Sequence, residues 1–252
     1  MASFISDGLT LAYDIGPGEG RPVILIHGFA SNRHENWRRL GWYGAFERRR
    51  IGCVALDCRG HGESAKPHDP TAYARAAMVH DIVALLDHLG VERADLLGYS
   101  MGARLALAAA LAVPKRFPLV IAGGVGGRLF EPGPPGNPMA AAMEADDPDS
   151  IAEPMLRGFR RFADDQGEDR LALAALSRVR DAPFERAALG ALSMPVLIVA
   201  GARDALAGDP RELAAAIPGA RALSLPGCDH FSAIPHALFK AAVFDFLDGT
   251  LE

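Results

Sequence analysis

Short, mostly apolar runs recur along this chain at the spacing of strands in a covered sheet: PVILI (22–26), IGCVAL (51–56), ADLLGY (94–99), PLVIAG (118–123), PVLIVAG (195–201) and RALSL (221–225). Such continuous runs are expected to be buried on both faces. Longer stretches of helical period separate them. In TAYARAAMVHDIVALLDHL (71–89), Met78, Ile82, Leu85, Leu86 and Leu89 share one face, and Gly90 closes the run. MGARLALAAALA continues ADLLGY as a helix, and Asp209-Pro210 offers an N-cap followed by a first-turn proline. A last helix over about 235–248 places Leu238, Ala242 and Phe246 on one face. Asp7-Gly8, between two β-like runs at the start, signals a hairpin. Strands alternating with helices imply a doubly wound α/β domain, its mostly parallel sheet covered by helices on both faces.

Residues 124–190 break this rhythm. GGVGGRLFEPGPPGNP is too rich in glycine and proline for the interior of a regular element and reads as a mobile loop. SIAEPMLRGFRRFADD and DRLALAALSRV then read as amphipathic helices with no strand between them. The expectation is one domain over 1–252, with 124–190 inserted as a helical cap over the carboxyl edge of the sheet.

At 252 residues, half of them hydrophobic, the chain can bury a sizeable core as one α/β domain. Its net charge of −5 carries no basic footprint for nucleic acid. No apolar run reaches the roughly 18 residues of a membrane span, and the start, MASFISDGLTLAYD, has neither the basic nor the apolar part of a signal peptide. Cys53, Cys58 and Cys228 are odd in number and follow no metal spacing, so free thiols in a reducing compartment are expected. The expectation is a cytoplasmic protein that needs neither metal nor cofactor.

Chemistry concentrates where ADLLGY meets MGARLALAAALA. In open α/β sheets ligands sit beyond the carboxyl ends of the strands, and Gly98-Tyr99-Ser100-Met101-Gly102 forms such a corner. Flanking glycines, with Ala103 beyond, let strand and helix approach closely. A serine on this turn is forced into a strained conformation that lifts its hydroxyl over the sheet edge. The helix N-terminus behind it adds a partly positive field and free amides, among them Met101 N–H.

A serine hydroxyl becomes a useful nucleophile only beside a base. His230, in LPGCDHFS, follows the strand RALSL on a loop at the same edge, whereas His80 and His88 lie within the long helix. The acid that would hold the imidazole is best supplied by Asp204, directly after PVLIVAG. Its rivals are less suitable: Asp209 fits a helix N-cap, and Asp229 is adjacent in sequence to the histidine. The loop after PVILI, HGFASNRHENW, would bring the backbone N–H of Phe29 beside that of Met101 as an oxyanion site. His27 reads as packing beneath the sheet edge, a role compatible with a backbone donor at Phe29.

In order along the chain, HGF (27–29), DCRGHGES (57–64), GYSMGA (98–103), GARD (201–204) and GCDH (227–230) resemble the motifs of the α/β-hydrolase superfamily. The resemblance implies an eight-stranded sheet, a small helical cap and a Ser–His–Asp triad on Ser100, His230 and Asp204. Asp57 and its neighbouring glycines read as structural, shaping a turn. Members with aspartate at the elbow, the dehalogenases and epoxide hydrolases, are disfavoured by Ser100. The serine branch implies a carboxylic ester or lactone as the small-molecule substrate. GYSMGARLAL is also similar to the elbow of the menaquinone-pathway lyase, with arginine four residues after the serine. This alternative makes Arg104 a holder of an acidic substrate, joined by Arg128 or Arg157, and Tyr99 is a further candidate contact. Carbon–carbon bond hydrolases and slow-turnover hormone receptors are the remaining alternatives.

Overall fold

A computed structural model describes residues 2–251. The chain runs β1 (Ala2–Ser6), β2 (Leu9–Gly16), β3 (Glu19–Ile26), α1 (Trp42–Arg49), β4 (Ile51–Leu56), α2 (Arg75–His88), β5 (Asp95–Tyr99), α3 (Met101–Ala112) and β6 (Val120–Gly123). Four helices follow without a strand: α4 (Pro138–Glu144), α5 (Pro154–Asp165), α6 (Arg170–Ser177) and α7 (Arg186–Leu189). The chain closes with β7 (Val196–Gly201), α8 (Pro210–Ala214), β8 (Arg221–Leu225) and α9 (Ala237–Leu247). The strands form one eight-stranded sheet in the order β1-β2-β4-β3-β5-β6-β7-β8. Among the described residues only the pairs β1–β2 and β2–β4 are antiparallel. The expected hairpin turns at Asp7 and Gly8, both at positive φ, as a tight two-residue turn requires.

Successive side chains of the central strands enter opposite layers. Ile24 and Ile26 of β3 pack with α2, α3 and α8, whereas Val23 and Leu25 pack with α1 and α9. This two-sided burial explains why those strands read as continuous apolar runs.

Two sequence expectations need correction. Leu238 is 51% exposed, and the buried face of α9 is formed by Phe239, Ala242, Val243 and Phe246. Leu238 sits in the same first turn as Phe239, but Phe239 packs against the sheet at Gly123 while Leu238 faces the solvent side of the helix. The glycine-rich stretch after β6 is also no loose loop at its start. Val125 and Leu129 are core residues, Gly127–Phe130 forms a 3₁₀ turn, and Gly127 N–H donates to Asp209 carbonyl at 3.0 Å. Beyond Arg128, exposure in this stretch is continuous only over 131–136. Glycines here permit close backbone packing, which composition alone cannot distinguish from mobility.

A smaller apolar cluster joins α4, α5 and α6 to the loop after β3 through Ala30, Ala140, Met143, Phe159, Ala163, Leu173 and Ala174. That contact sets these helices beside the carboxyl end of the sheet. No described helix is long and apolar enough to cross a membrane.

Candidate active site

The corner between β5 and α3 is as tight as its sequence suggests. Ser100 has φ 54° and ψ −110°, outside the comfortable regions for an L-residue. A Cβ at Gly98 would lie 2.2 Å from Gly102 carbonyl oxygen, and one at Gly102 would lie 2.0 Å from Ile26 carbonyl oxygen. Both glycines are therefore dictated by backbone proximity. The strain is held by tertiary structure, since Ser100 N–H donates to Gly123 carbonyl at 2.8 Å and α3 begins immediately after it.

Two loops from the far half of the chain complete the constellation. His230 Nε2 lies 2.9 Å from Ser100 Oγ, and His230 Nδ1 lies 2.7 Å from Asp204 Oδ2. A carboxylate only accepts, so Nδ1 carries the proton and the bare Nε2 accepts from the serine hydroxyl. Asp204 is itself fixed, because Oδ1 accepts the amides of Leu206 at 3.0 Å and Ala207 at 2.9 Å. Both Asp204 and His230 are buried. The rival acids are engaged elsewhere: Asp209 caps α8, and Asp229 accepts from the amides of Phe231 and Ser232.

Gly28 packs against Ser100, and a Cβ at Gly28 would lie 3.6 Å from Ser100 Cβ. This brings the next residue, Phe29, to the serine. Neither Phe29 N–H nor Met101 N–H donates to a protein acceptor among the described residues. Both residues line one cavity with Ser100. Tyr99 has a structural contact besides lining a cavity: its hydroxyl donates to His230 carbonyl at 2.5 Å, tying the histidine loop to β5. Burial pushes the Tyr99 phenol well above its ordinary range, which keeps it a neutral donor.

Two cavities meet at Ser100 and His230. The larger, about 410 Å³, extends past Met101, Arg104, Leu206 and Arg180. The smaller, about 280 Å³, is walled by Leu40, Tyr99, Phe162, Phe231 and Ile234. Phe29 and Phe159 border both, with ring centroids 6.0 Å apart. Arg104 N–H donates to Ser100 carbonyl at 3.1 Å, while its exposed guanidinium makes no hydrogen bond or ion pair among the described residues. Partial desolvation and the like charge of Arg75 lower its affinity for its proton relative to a free arginine, against the opposing charge of Asp181. Arg128 and Arg157 line neither cavity: Arg128 pairs with Glu131 at 2.5 Å, and Arg157 donates to Ile151 carbonyl at 2.9 Å. Arg180, which no sequence motif singles out, takes their place in the larger cavity. Its only sequence signal is its position within the helical insertion.

A sequence profile described as the alpha/beta hydrolase family matches residues 23–241. The chain belongs to this family. It is 32% identical over 237 residues to the dihydrolipoyllysine-residue acetyltransferase component of an acetoin cleaving system from Pseudomonas putida, covering 86% of this chain and 60% of that protein. It is 37% identical over 110 residues to a 2-hydroxymuconate semialdehyde hydrolase from Pseudomonas putida, covering 43% of this chain and 38% of the relative. The match thus spans less than two thirds of either relative's length. Among solved structures, a hydrolase from Pseudomonas aeruginosa PA01 superposes with a TM-score of 0.81 and 29% identity, covering 98% of this chain and 97% of the other. The family's mostly parallel eight-stranded sheet is the one described above.

Proposed function

We propose that the protein is a serine hydrolase that cleaves a small carboxylic ester or lactone through an acyl-enzyme. The observation that carries this reading is the relay from Asp204 through His230 to Ser100, beside two unengaged backbone amides. His230 Nε2 takes the hydroxyl proton as Ser100 Oγ attacks the carbonyl carbon. The amides of Phe29 and Met101 receive the developing oxyanion, a contribution of about 2.7–4 kcal/mol per donor in comparable sites. Collapse breaks the ester carbon–oxygen bond, and His230 returns its proton to the leaving oxygen. Water, deprotonated by the same imidazole, then attacks the acyl-enzyme and releases the acid with Ser100 restored. Asp204 holds the tautomer and stabilises the imidazolium. In this reading residues 124–190 are the cap, with Phe159 forming a wall between the two halves of the substrate.

A second reading is favoured by one observation. The Arg104 guanidinium lines the larger cavity without an ion pair among the described residues, although Asp181 lines it too, and is free to turn to a substrate carboxylate. The same triad would then serve a lyase or carbon–carbon bond hydrolase acting on an acidic substrate. Turnover of short-chain nitrophenyl esters and graded lactones, with a fluorophosphonate probe and Ser100→Ala as control, tests the first reading. Undiminished ester turnover in that variant ends it. Poor turnover of neutral esters, with carboxylate-bearing substrates lost selectively in Arg104→Ala, decides for the second.

A further inference from the structure

Phe29 lies between two peptide groups, and each is held by a buried imidazole from a different motif. His27 Nδ1 lies 2.8 Å from Gly28 carbonyl oxygen, and His27 Nε2 accepts the Cys58 amide at 3.0 Å. His61 Nδ1 lies 3.1 Å from Arg59 carbonyl oxygen, and His61 Nε2 accepts the Ala30 amide at 3.2 Å. A ring nitrogen that accepts an N–H must be bare, so both rings are neutral with the proton on Nδ1.

These contacts act on the oxyanion donor by geometry. Gly28 carbonyl and Phe29 N–H belong to one planar, trans peptide, so anchoring the oxygen on one side aims the N–H to the other. The next peptide is anchored through Ala30 N–H, and Ala30 sits at φ +59°, a conformation unfavourable for alanine without such support. A donor on the carbonyl also polarises the same amide, strengthening the hydrogen bond its N–H gives. Neither imidazole reaches the cavity; both are fully buried, with ring centroids 4.9 Å apart.

We propose that His27 and His61 are a pair of positioning residues that clamp the two peptides flanking Phe29, and so set the direction and strength of its oxyanion amide. This rests on the serine-hydrolase reading. The groups that bear on the pair are few. His61 faces His27, Lys66 and the Phe29 ring, set nearly perpendicular to it, and His27 faces Asp57 and Arg33. Burial lowers the proton affinity of both imidazoles, which favours the neutral acceptor form that the clamp needs.

The decisive comparison is His61→Phe, which fills the space without an acceptor, against His61→Gln, whose side-chain amide can accept from Ala30. Nitrophenyl-ester kinetics and the rate of fluorophosphonate labelling are measured on each, with thermal melting alongside. His61→Phe is expected to lose about 10²-fold in kcat with KM changed less than about threefold, the penalty of a slightly misdirected group. Labelling should slow in parallel, and His61→Gln should recover at least about tenfold. Wild-type kcat in a folded His61→Phe, or equal losses in both variants that follow stability alone, overturns the proposal. Long-range nitrogen–proton NMR on the unmodified protein is independent of variant folding. Both imidazoles should be neutral and protonated at Nδ1 at neutral pH, and any other state overturns the clamp. Turnover that survives Ser100→Ala would defeat the hydrolase reading while the NMR result still judged the clamp's geometry; turnover lost there but kept in His61→Phe defeats the clamp alone.

Discussion

The serine is enclosed by two regions built on opposite terms. Below it, the sheet edge is over-determined: the corner at Ser100, Asp204 and His230 are each held by backbone hydrogen bonds or by backbone packed at contact distance. Above it, α4–α6 adhere through small and aromatic side chains, with Ala140, Ala163 and Ala174 meeting Ala30 and Phe29. Their polar ties at the α5–α6 turn run through Glu168, which accepts from Asn32 Nδ2 at 2.9 Å and Gly62 N–H at 2.8 Å, and through Asp169, 2.9 Å from His68. Hydrogen bonds specify distance and direction, whereas apolar contact specifies mainly proximity. The lower region is suited to chemistry and the upper one to accommodating shape.

Substitutions should sort by this contrast. Ser100→Ala is expected to reduce kcat by about 10⁶-fold with the fold intact, read by steady-state turnover and melting together. Asp204→Asn should reduce kcat by about 10⁴-fold, because the amide stabilises the wrong imidazole tautomer. A comparable kcat loss from any change confined to α5 would break the comparison.

Acid should weaken the lower region first. His27 and His61 are held below the ordinary value of 6.5, so the unfolded chain binds protons that the native state refuses. Their stabilisation is complete above about pH 6.5 and declines as pH falls beneath it, at about 1 kcal/mol per pH unit for each group. Denaturant unfolding between pH 7 and 5 measures this slope; a flat profile would remove the two imidazoles from the account.

In the upper region, Phe159→Ala should raise KM roughly tenfold for substrates with a bulky apolar group while leaving kcat nearly unchanged. The smallest effect belongs to Glu168. Burial raises its pKa above 4.5, so native stability falls as pH rises from that value through the native one. Glu168→Gln should flatten this segment of the profile without changing kcat, and since a carboxamide oxygen can accept from only one of Asn32 and Gly62 it should cost about 1–3 kcal/mol of stability at pH 7. Melting curves at closely spaced pH values would detect it.

Legibility in the sequence followed the same division. The strands, the corner at Ser100 and the Ser100–His230–Asp204 hydrogen-bond relay could be read, as could the residues proposed for the oxyanion site, because each depends on local chemistry: apolar runs, glycines at fixed offsets, an acid or histidine directly after a strand. α1 escaped notice, since Trp42, Ala45 and Phe46 are too few to show a period, and α4 begins at a proline in a stretch that resembles a loop. The arginines of the larger cavity were the least legible. Arg128 and Arg180 look alike in sequence, and only the path of the insertion brings Arg180 into the cavity while Arg128 pairs outside it. The roles of His27 and His61 depend on where two separate loops meet, which no local pattern encodes.

The corner at Ser100 has an implication for how this chain can vary. What stands in the way of a methyl group at positions 98 and 102 is main-chain oxygen, contributed by residues of any identity. No compensating mutation can trim a carbonyl. A library randomised at both sites and selected purely for soluble, cooperatively melting protein, with turnover ignored, should still return glycine at each.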